Sequence, residues 1–414
     1  MKQGNSHFFK FFYQQNERKV FNSSKCVLFF LFLERNKQKP SGQHLMTIPE
    51  LIVTFFGVLM LIPTLASLSR YDQWWVRGFD FPRLQICFLI LLVLAFAAFL
   101  FSFDTSWQYI LVSLLIASLV YQAVKIYPYT ILAQKQVLRF KGDEPENHIS
   151  VLVSNVLTPN DKYSRLIARI YKKQPDIVLT LESDKRWEKA LEEIEKDYPF
   201  CVKLPQDNLY GMHLYSRLEL EEIEVKYLIT SEIPSIHGYV RLRNREKVKI
   251  HCLHPKPPSP TEDDTSTNRD AELLLIGREI RQKKEPILVF GDLNDVAWSR
   301  TTKLFQQISG LLDPRIGRGF YNTYHTGYSF FRWPLDHIFH TEDFCLVEIK
   351  RLKSIGSDHF PMFAKLNFEP RVEHLQEEPS EADEEEKEWV EEKIDKGKPK
   401  QEEQTSKTHS LSSS

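Results

Sequence analysis

Long apolar runs are confined to the first third of the chain, where three of them follow one another: Leu51–Leu68, Leu84–Phe101 and Ile110–Val120. The second run has no charged residue over about 18 positions, enough for a helix that crosses the hydrocarbon core of a bilayer. Tryptophan and tyrosine flank the third run, as in an interfacial aromatic belt. We therefore predict three transmembrane helices within residues 46–125, with the lipid bilayer as their partner.

From residue 148 to residue 369 the apolar runs are shorter and alternate with amphipathic segments, which predicts a soluble domain. The predicted strands are Ile149–Val153, Ile177–Leu181, Tyr239–Leu242, Val248–Leu253, Ile287–Phe290 and Leu335–Phe339. The predicted helices are Ser164–Gln174 and Arg269–Lys283, each with an apolar stripe of helical period. The polar run 243–246 between two strands indicates a hairpin. Alternating strands and helices with hairpins predict an α/β domain with mixed sheets.

The two ends of the chain have a different texture. Residues 1–45 form a basic leader around a short apolar run, and two interpretations remain open: a native segment, or an over-extended start with Met46 as the natural one. Residues 126–147 are predicted to be a linker. Residues 370–414 are rich in Glu, Lys, Ser and Gln, which predicts a disordered acidic and polar tail.

Charge and cysteine content limit which classes of protein the chain can belong to. A net charge of -1 with 26% charged residues gives no global argument for nucleic-acid binding. The five scattered cysteines form no CxxC pair, so neither a disulfide framework nor a zinc–thiolate site is indicated. Basic residues after the first and third apolar runs favour a multi-pass protein of the cell (inner) membrane with a cytoplasmic C-terminal domain. A native basic leader would favour the opposite orientation.

The segment PILVFGDLND, residues 286–295, contains the first candidate functional residues. An apolar run between breakers fits a strand that is buried on both faces. Asp292 and Asn294 follow it two positions apart, so both would point the same way from the strand end. In isolation such a motif is also typical of a solvated turn.

Similar polar residues follow the other predicted strands. Asn155, Glu182 and His254 each follow a predicted strand, Asp336 lies at the start of the one at 335–339, and the Ser357-Asp358-His359 segment precedes the last apolar run. Carboxylate and amide oxygens are ligands that suit Mg²⁺ or Mn²⁺ better than zinc. Each residue alone has an ordinary explanation as a surface or turn residue, but their repeated place at strand ends predicts one shared site.

The ordered set Asn155, Glu182, His254, GDLN at 291–294, Asp336 and SDH at 357–359 resembles the endonuclease/exonuclease/phosphatase superfamily of deoxyribonuclease-like metallophosphoesterases. The resemblance covers residues 148–368. The apolar runs, with WWVRGFDFPR between the first two, look like a bacterial membrane-anchored subgroup. The resemblance implies a four-layer α/β sandwich, two packed mixed β-sheets flanked by helices, with the site at one end.

The resemblance also implies roles for individual residues. Glu182 would be the main ligand of Mg²⁺ or Mn²⁺, with Asn155 and Asp358 nearby. Asp292 would orient or deprotonate the attacking water, and Asn294 would hold the phosphate or that water. The remaining roles are those of His359 as general base or acid, Asp336 as the residue that orients it, and His254 as a stabiliser of charge on phosphorus. Asp358 competes with Asp336 for contact with His359.

The predicted function is Mg²⁺-dependent, nuclease-like hydrolysis of a phosphodiester by in-line attack of water, with nucleic acid as the substrate. Arg315, Arg318, Tyr321, Tyr324, Phe331, Arg332 and Trp333 would line the approach, unless these side chains pack internally. The alternative substrate is a phospholipid or inositol-phosphate head group, which a membrane tether would concentrate. A non-enzymatic membrane scaffold is the third reading, and the presence of every expected catalytic residue argues against it. No obligate protein partner is indicated.

Overall fold

The computed structural model describes residues 46–376 and 378–397. Its main helices are α1 Ile48–Leu68, α2 Arg83–Leu100, α3 Ser106–Ile126, α4 Tyr163–Lys173, α5 Lys185–Glu195, α6 Thr267–Arg281, α7 Arg300–Ser309 and α8 Glu384–Gly397. Its strands are β1 His148–Asn155, β2 Ile177–Leu181, β3 Phe200–Leu204, β4 Met212–Ser216, β5 Leu220–Lys226, β6 Ser235–Arg241, β7 Lys247–Leu253, β8 Ile287–Asp292, β9 Asp336–His340, β10 Phe344–Arg351 and β11 Met362–Phe368. Short helical turns occur at 74–80, 127–129, 145–147 and 370–375.

Three helices are long and apolar enough to cross a membrane, and they span Ile48–Leu68, Arg83–Leu100 and Ser106–Tyr129. Backbone contacts divide the described chain into two units, one with residues 46–59 and 90–117 and the other with the remainder. In the first unit, a Cβ on Gly57 would lie 3.2 Å from Leu111, so the small residue allows close helix packing. In the second unit, Arg83 at the start of α2 pairs with Asp80 and donates to Gln122 at 2.6 Å.

Two mixed sheets form the centre of the domain that follows. One has the strand order β10-β11-β1-β2-β4-β3 and the other β5-β6-β7-β8-β9. Their inner faces share one apolar core, to which Val151, Leu179, Ile250 and Phe290 belong. The outer face of the first sheet packs on α4 and α5, and that of the second on α6 and α7. The predicted α/β sandwich, with two mixed sheets flanked by helices, is thereby confirmed.

The sheet topology brings several strand ends to one edge. Strand β1 is parallel to β2, and β7 is parallel to β8, so the carboxyl ends of each pair lie together. Strand β9 runs antiparallel to β8, and its first residue, Asp336, lies opposite Asp292. Strand β11 is antiparallel to β1, so the segment before it, with His359, reaches the same edge of the first sheet. This arrangement is the physical basis of the site.

Most predicted elements match within one or two residues, and the largest strand difference concerns the segment expected at 239–242. Strand β6 begins four residues earlier, at Ser235, and ends at Arg241. Gly238 lies within it, where a Cβ would come 2.4 Å from a side-chain atom of Ile223. The glycine weakens the sequence signal for a strand, although the close approach of the neighbouring strand requires it. The hairpin expected at 243–246 joins β6 to β7.

The tail differs from the disorder expected after residue 370. Residues 384–397 form helix α8, which lies against α6 and buries Trp389, Val390 and Ile394. The acidic run at 383–388 dominates the composition, but the apolar residues that follow it lie on one face and cover Leu274 and Leu304. A few well-placed apolar residues thus outweigh the charge of this segment. Residues 377 and 398–414 lie outside the described residues, as does the leader at 1–45.

The segment expected to be a linker, 126–147, is packed on the sandwich. Val137 is fully buried in the core between the sheets. The backbone amide of Phe140 donates to the carbonyl of Leu346 at 2.9 Å, which extends the edge beyond β10. Tyr129 donates its hydroxyl to the carbonyl of Ala297 at 2.7 Å. The segment therefore belongs structurally to the α/β sandwich.

Candidate active site

Asn155 is the last residue of β1, Glu182 directly follows the parallel strand β2, and the two side chains are joined by a hydrogen bond. The amide Nδ2 of Asn155 donates to Glu182 Oε1 at 2.7 Å and also lies 3.1 Å from Asp292 Oδ2. Asn155 thus bridges a carboxylate of the first sheet to one of the second. Glu182 has a φ of 57°, in the left-handed region, and its carbonyl accepts from Thr158 at 2.8 Å. Strained backbone of this kind is concentrated at functional sites.

Strand β8 delivers Asp292 and Asn294, and Gly291 makes the arrangement possible. A Cβ at position 291 would lie 1.9 Å from the carbonyl oxygen of Leu253, so any side chain would push β7 and β8 apart. Asp292 is fully buried, and its Oδ1 accepts from the backbone amide of Asn294 at 3.0 Å. Asn294, with a φ of 51°, donates from Nδ2 to the carbonyl of Pro255 at 3.0 Å.

His359 is paired with Asp336. The two side chains meet at 2.8 Å through His359 Nδ1 and Asp336 Oδ2, and both are buried. Asp292 Oδ2 lies 3.5 Å from the same ring nitrogen. The choice between Asp336 and Asp358, which the sequence left open, is settled by this geometry in favour of Asp336. The Nδ1 contact leaves Nε2 of His359 for a substrate.

His254 and Asp358 complete the group of expected residues. His254 follows β7, is fully buried, and its ring lies 5.5 Å from that of Tyr210. Asp358 is half-buried, and its Oδ1 accepts from Ser357 at 3.2 Å. Charge interactions link Asp358 to Glu182 and His254 to Asp292. The structure therefore places all eight expected residues at one edge of the sandwich.

The electrostatics divide these groups into proton donors and acceptors. Burial raises the pKa of Glu182 to about 7, and neighbouring Asp358 and Asp292 contribute to the rise. Burial alone would lower the pKa of His359, but the charges of Asp292 and Asp336 raise it to about 10. Burial lowers the pKa of His254, so this ring is neutral at pH 7. The pKa values of the two histidines of the site are thus shifted in opposite directions.

The donor set fits a hard divalent cation. Glu182 Oε2 and Asp336 Oδ1 are buried carboxylate oxygens with no hydrogen-bond partner within the described part of the chain. Buried carboxylate oxygens without a partner are costly unless a cation or a proton compensates them. Asp292, Asp336 and His359 also offer ligand atoms within 4.8 Å of one another. Asp336 Oδ2 is already paired with His359 Nδ1, which leaves Glu182 Oε2 and Asp336 Oδ1 as the carboxylate oxygens that a cation could compensate.

Comparison with known proteins matches residues 152–359, half of the chain, to the model of the "Endonuclease/Exonuclease/phosphatase family". The chain belongs to this family. It is therefore a hydrolase that acts on phosphoester bonds, and the predicted membership of the endonuclease/exonuclease/phosphatase superfamily is confirmed. None of the curated proteins compared with the chain matches it.

Solved structures of the endonuclease/exonuclease/phosphatase fold are similar at low identity. D. rerio TDP2 with a single-strand DNA product is 17% identical, with 53% of this chain and 99% of that one covered and a TM-score of 0.45. The human nocturnin catalytic domain with sulfate is 17% identical, with coverage of 58% and 99% and a TM-score of 0.44. The mannosyl-6-phosphatase of Bacteroides thetaiotaomicron is 16% identical, with coverage of 53% and 100% and a TM-score of 0.41.

The basic and aromatic residues expected to line the approach to this endonuclease/exonuclease/phosphatase site separate into two groups. Arg315 is buried in a pair with Asp313 and donates to His337 at 2.7 Å, so it supports the fold. Arg318 donates to backbone carbonyls. Tyr324, in contrast, lies with its ring 4.9 Å from that of His359.

Two contacts of the site have no signal in the sequence. The first is Tyr210, which lies against His254. The second is Gly211, where a Cβ would come 1.9 Å from the carbonyl oxygen of Ser183, next to Glu182. Both residues belong to the turn before β4, whose polar composition predicts only a loop. Their positions depend on tertiary packing.

Proposed function

We propose that the protein is a Mg²⁺-dependent phosphodiester hydrolase anchored to a membrane by α1, α2 and α3. The observation that carries this proposal is the connected set Glu182–Asn155–Asp292–His359–Asp336, in which every neighbouring pair lies within 3.5 Å. It joins a half-buried carboxylate, a second carboxylate and an oriented imidazole across both sheets. Hydrolysis of a phosphodiester needs these groups to activate water and to protonate a leaving oxygen.

His359 acts as the general acid. Its Nδ1 proton is held by Asp336, which fixes the ring and supports the imidazolium. With the pKa of His359 raised to about 10, the ring carries a proton at pH 7 that Nε2 can give to the leaving oxygen. The carboxylates that raise this pKa thus favour reprotonation of His359 after each turnover.

Asp292 orients the attacking water and accepts its proton. Its Oδ2 takes the hydrogen bond from Asn155, while its Oδ1 is held by the amide of Asn294. One N–H of the Asn294 side chain is used by Pro255, and the second is available to a phosphate oxygen. Neutral His254 supplies a further N–H donor for the charge that develops on phosphorus.

Glu182 would hold the cation, with Asn155 and Asp358 beside it. When bound, Mg²⁺ supplies Lewis-acid stabilisation of charge on the phosphate oxygens. Glu182 must be ionised to act as a ligand, and the burial that raises its pKa to about 7 makes the empty carboxylate costly to ionise. A bound cation would offset the energetic cost of ionising this half-buried carboxylate, whose Oε2 has no hydrogen-bond partner in the described residues.

The test is hydrolysis of bis(p-nitrophenyl) phosphate by the full chain in detergent with Mg²⁺. We expect Glu182→Gln, Asp292→Asn and His359→Asn each to lower turnover by about 10³-fold or more, since each removes a group that acts on the reacting atoms. EDTA should abolish turnover, and added Mg²⁺ or Mn²⁺ should restore it. His374→Asn, a change of an exposed histidine, is the matched control.

Wild-type turnover in any of the three variants would remove that residue from the proposal, and turnover that resists EDTA would remove the cation. The cytoplasmic orientation of the domain is tested separately. In right-side-out spheroplasts, an added protease should leave the domain intact, and its cleavage there would place the domain outside.

A further inference from the structure

Residues 327–333, here called the aromatic loop, expose large apolar side chains next to the active site. Tyr328, Phe330 and Phe331 have 60%, 59% and 47% of their surface exposed. Three exposed aromatic residues within four positions are unusual on a surface that faces only water. Such a cluster indicates a contact with an apolar phase or with a partner.

The base of the aromatic loop is fixed to the catalytic histidine segment. The backbone amide of Thr326 donates to the carbonyl of Asp358 at 2.8 Å, and its hydroxyl donates to the carbonyl of Ser357 at 2.7 Å. Just before it, Tyr324 lies with its ring 4.9 Å from His359. The position of the loop is therefore coupled to the position of the general acid.

The other side of the aromatic loop contacts the start of α2. Gln85, in the first turn of that helix, donates from Nε2 to the carbonyl of Phe330 at 2.5 Å. The ring of Trp333 packs edge-on against Phe81, with 5.7 Å between centroids. Helix α2 is apolar enough to cross a membrane, and if it crosses, its first turn lies where lipid head groups begin. The aromatic loop lies at the same level.

Other exposed apolar side chains adjoin the helix ends on this side. If each helix crosses once, the end of α1, the start of α2 and the end of α3 emerge on the same side of the bilayer. Trp75, in the α1–α2 connection, is 56% exposed, and Ile131 and Leu132, just after α3, are each 79% exposed. Tryptophan and tyrosine favour this interfacial level because their rings are apolar and carry a polar atom.

We propose that the aromatic loop enters the bilayer surface and that the substrate is the phosphodiester of a membrane lipid. This inference rests on the proposed function and names its substrate class. Water adds its oxygen to phosphorus, and the bond from phosphorus to the lipid oxygen breaks. The lipid alcohol receives a proton from His359, and the proton lost by water passes through Asp292 to restore the site. The alcohol stays in the bilayer, and the head group leaves as a phosphate monoester.

The test uses the full chain in vesicles of phosphatidylcholine and phosphatidylglycerol with Mg²⁺. We expect diacylglycerol to form, and we expect the ratio of lipid turnover to bis(p-nitrophenyl) phosphate turnover to fall by about tenfold in the double variant Phe330→Ser, Phe331→Ser. Tyr227→Ser, which changes a 49% exposed aromatic residue away from the loop, should keep the wild-type ratio.

The outcomes separate this inference from the proposed function. Cleavage of a single-stranded oligonucleotide or of bis(p-nitrophenyl) phosphate without any diacylglycerol would overturn the lipid substrate and leave the phosphodiester hydrolase standing. An unchanged ratio in the double variant would overturn the role of the aromatic loop. Failure to cleave all three substrates would overturn the proposed function itself.

A second measurement does not depend on activity. Phe331→Trp places an indole in the aromatic loop, and brominated lipids should quench the added fluorescence because their bromine atoms lie within the acyl region. We expect this variant to lose a larger fraction of its fluorescence than the wild-type chain. Equal quenching of the two proteins would show that the loop stays in water, and it would overturn the proposal.

Discussion

Glu272 lies inside the domain without a compensating charge, and its replacement should stabilise the protein. The residue is on α6 and only 3% exposed, and burial alone raises its pKa to about 8. Its Oε1 has no hydrogen-bond partner in the described part of the chain. The unfolded chain ionises this carboxyl near its ordinary pKa of about 4.5, so the folded state holds one more proton between about pH 4.5 and pH 8.

The sign and size of the effect follow from this difference. Because the folded pKa lies above the unfolded one, the free energy of unfolding falls as pH rises through this window. pH 7 lies about 2.5 units above the pKa of this carboxyl in the unfolded chain. Each of these units lowers the free energy of unfolding by about 1.4 kcal/mol. Glu272→Gln removes the titration and should therefore raise the free energy of unfolding by about 3 kcal/mol at pH 7, with little gain at pH 4.5.

The assay is urea unfolding of the full chain in detergent, followed by tryptophan fluorescence from pH 5 to pH 8. The matched control is Glu279→Gln on the same helix. Burial would raise the pKa of Glu279, but a 3.1 Å hydrogen bond from Lys283 prevails and the pKa is lowered, so this change should not stabilise. A stability difference between wild type and Glu272→Gln that stays constant with pH would refute the reasoning.

Three further predictions concern the site, the acid limit and the tail helix. Asp336→Asn should lower turnover of bis(p-nitrophenyl) phosphate by about 10³-fold and shift the His359 limb of the pH–rate profile to lower pH, since the imidazolium loses its partner; an unshifted limb would contradict the pairing. Burial lowers the pKa of His213, His237 and His340 to about 4. The stability that these three buried histidines contribute should therefore be full above about pH 6.5 and be lost as pH drops towards 4. His213→Asn should reduce the part of the slope of unfolding free energy against pH that arises there, and equal slopes in wild type and variant would be the contrary result. Lys393→Met removes the partner of Asp270 at 3.0 Å and of Asp72, while Arg269 still pairs with Asp270 at 2.8 Å. The free energy of unfolding should fall by about 2 kcal/mol, whereas exposed Lys396→Met should have little effect in the same urea assay.

The sequence predicted the fold class because that depends on local pattern, and the eight polar residues it singled out lie at one edge of the sandwich. Buried strands such as β8 read as apolar runs, and the polar residue after each strand marks the edge where strands meet. The edge strand β5, LEEIEVK, carries alternating charges and has no such run. Strand β3 begins with an exposed Phe200, so burial gives it no clear signal. These strands are defined by their partners.

Contacts between distant residues could not be predicted from pattern. Whether Asp336 or Asp358 holds His359 depends on the pairing of β9 with β8, which places Asp336 directly opposite Asp292. Glu182 and Asn294 have left-handed backbone conformations, which persist because the surrounding strand ends hold the chain in place. Helix α8 was not predicted because its composition is mainly acidic. Its few apolar residues stabilise a helix only by packing against α6, and that contact cannot be seen in the sequence.

The pairing of Asp292 with Asp336 across β8 and β9 shows that the contact between these two carboxylates depends on strand register. The two carboxylates are neighbours through sheet register, although the chain between them makes a long excursion over residues 293–335. Residues 327–333 of that excursion lie outside both strands and can change without altering this register, whereas a slip of one residue in β9 would turn Asp336 to the opposite face. The register between β8 and β9 is therefore the feature that any redesign of this domain has to preserve.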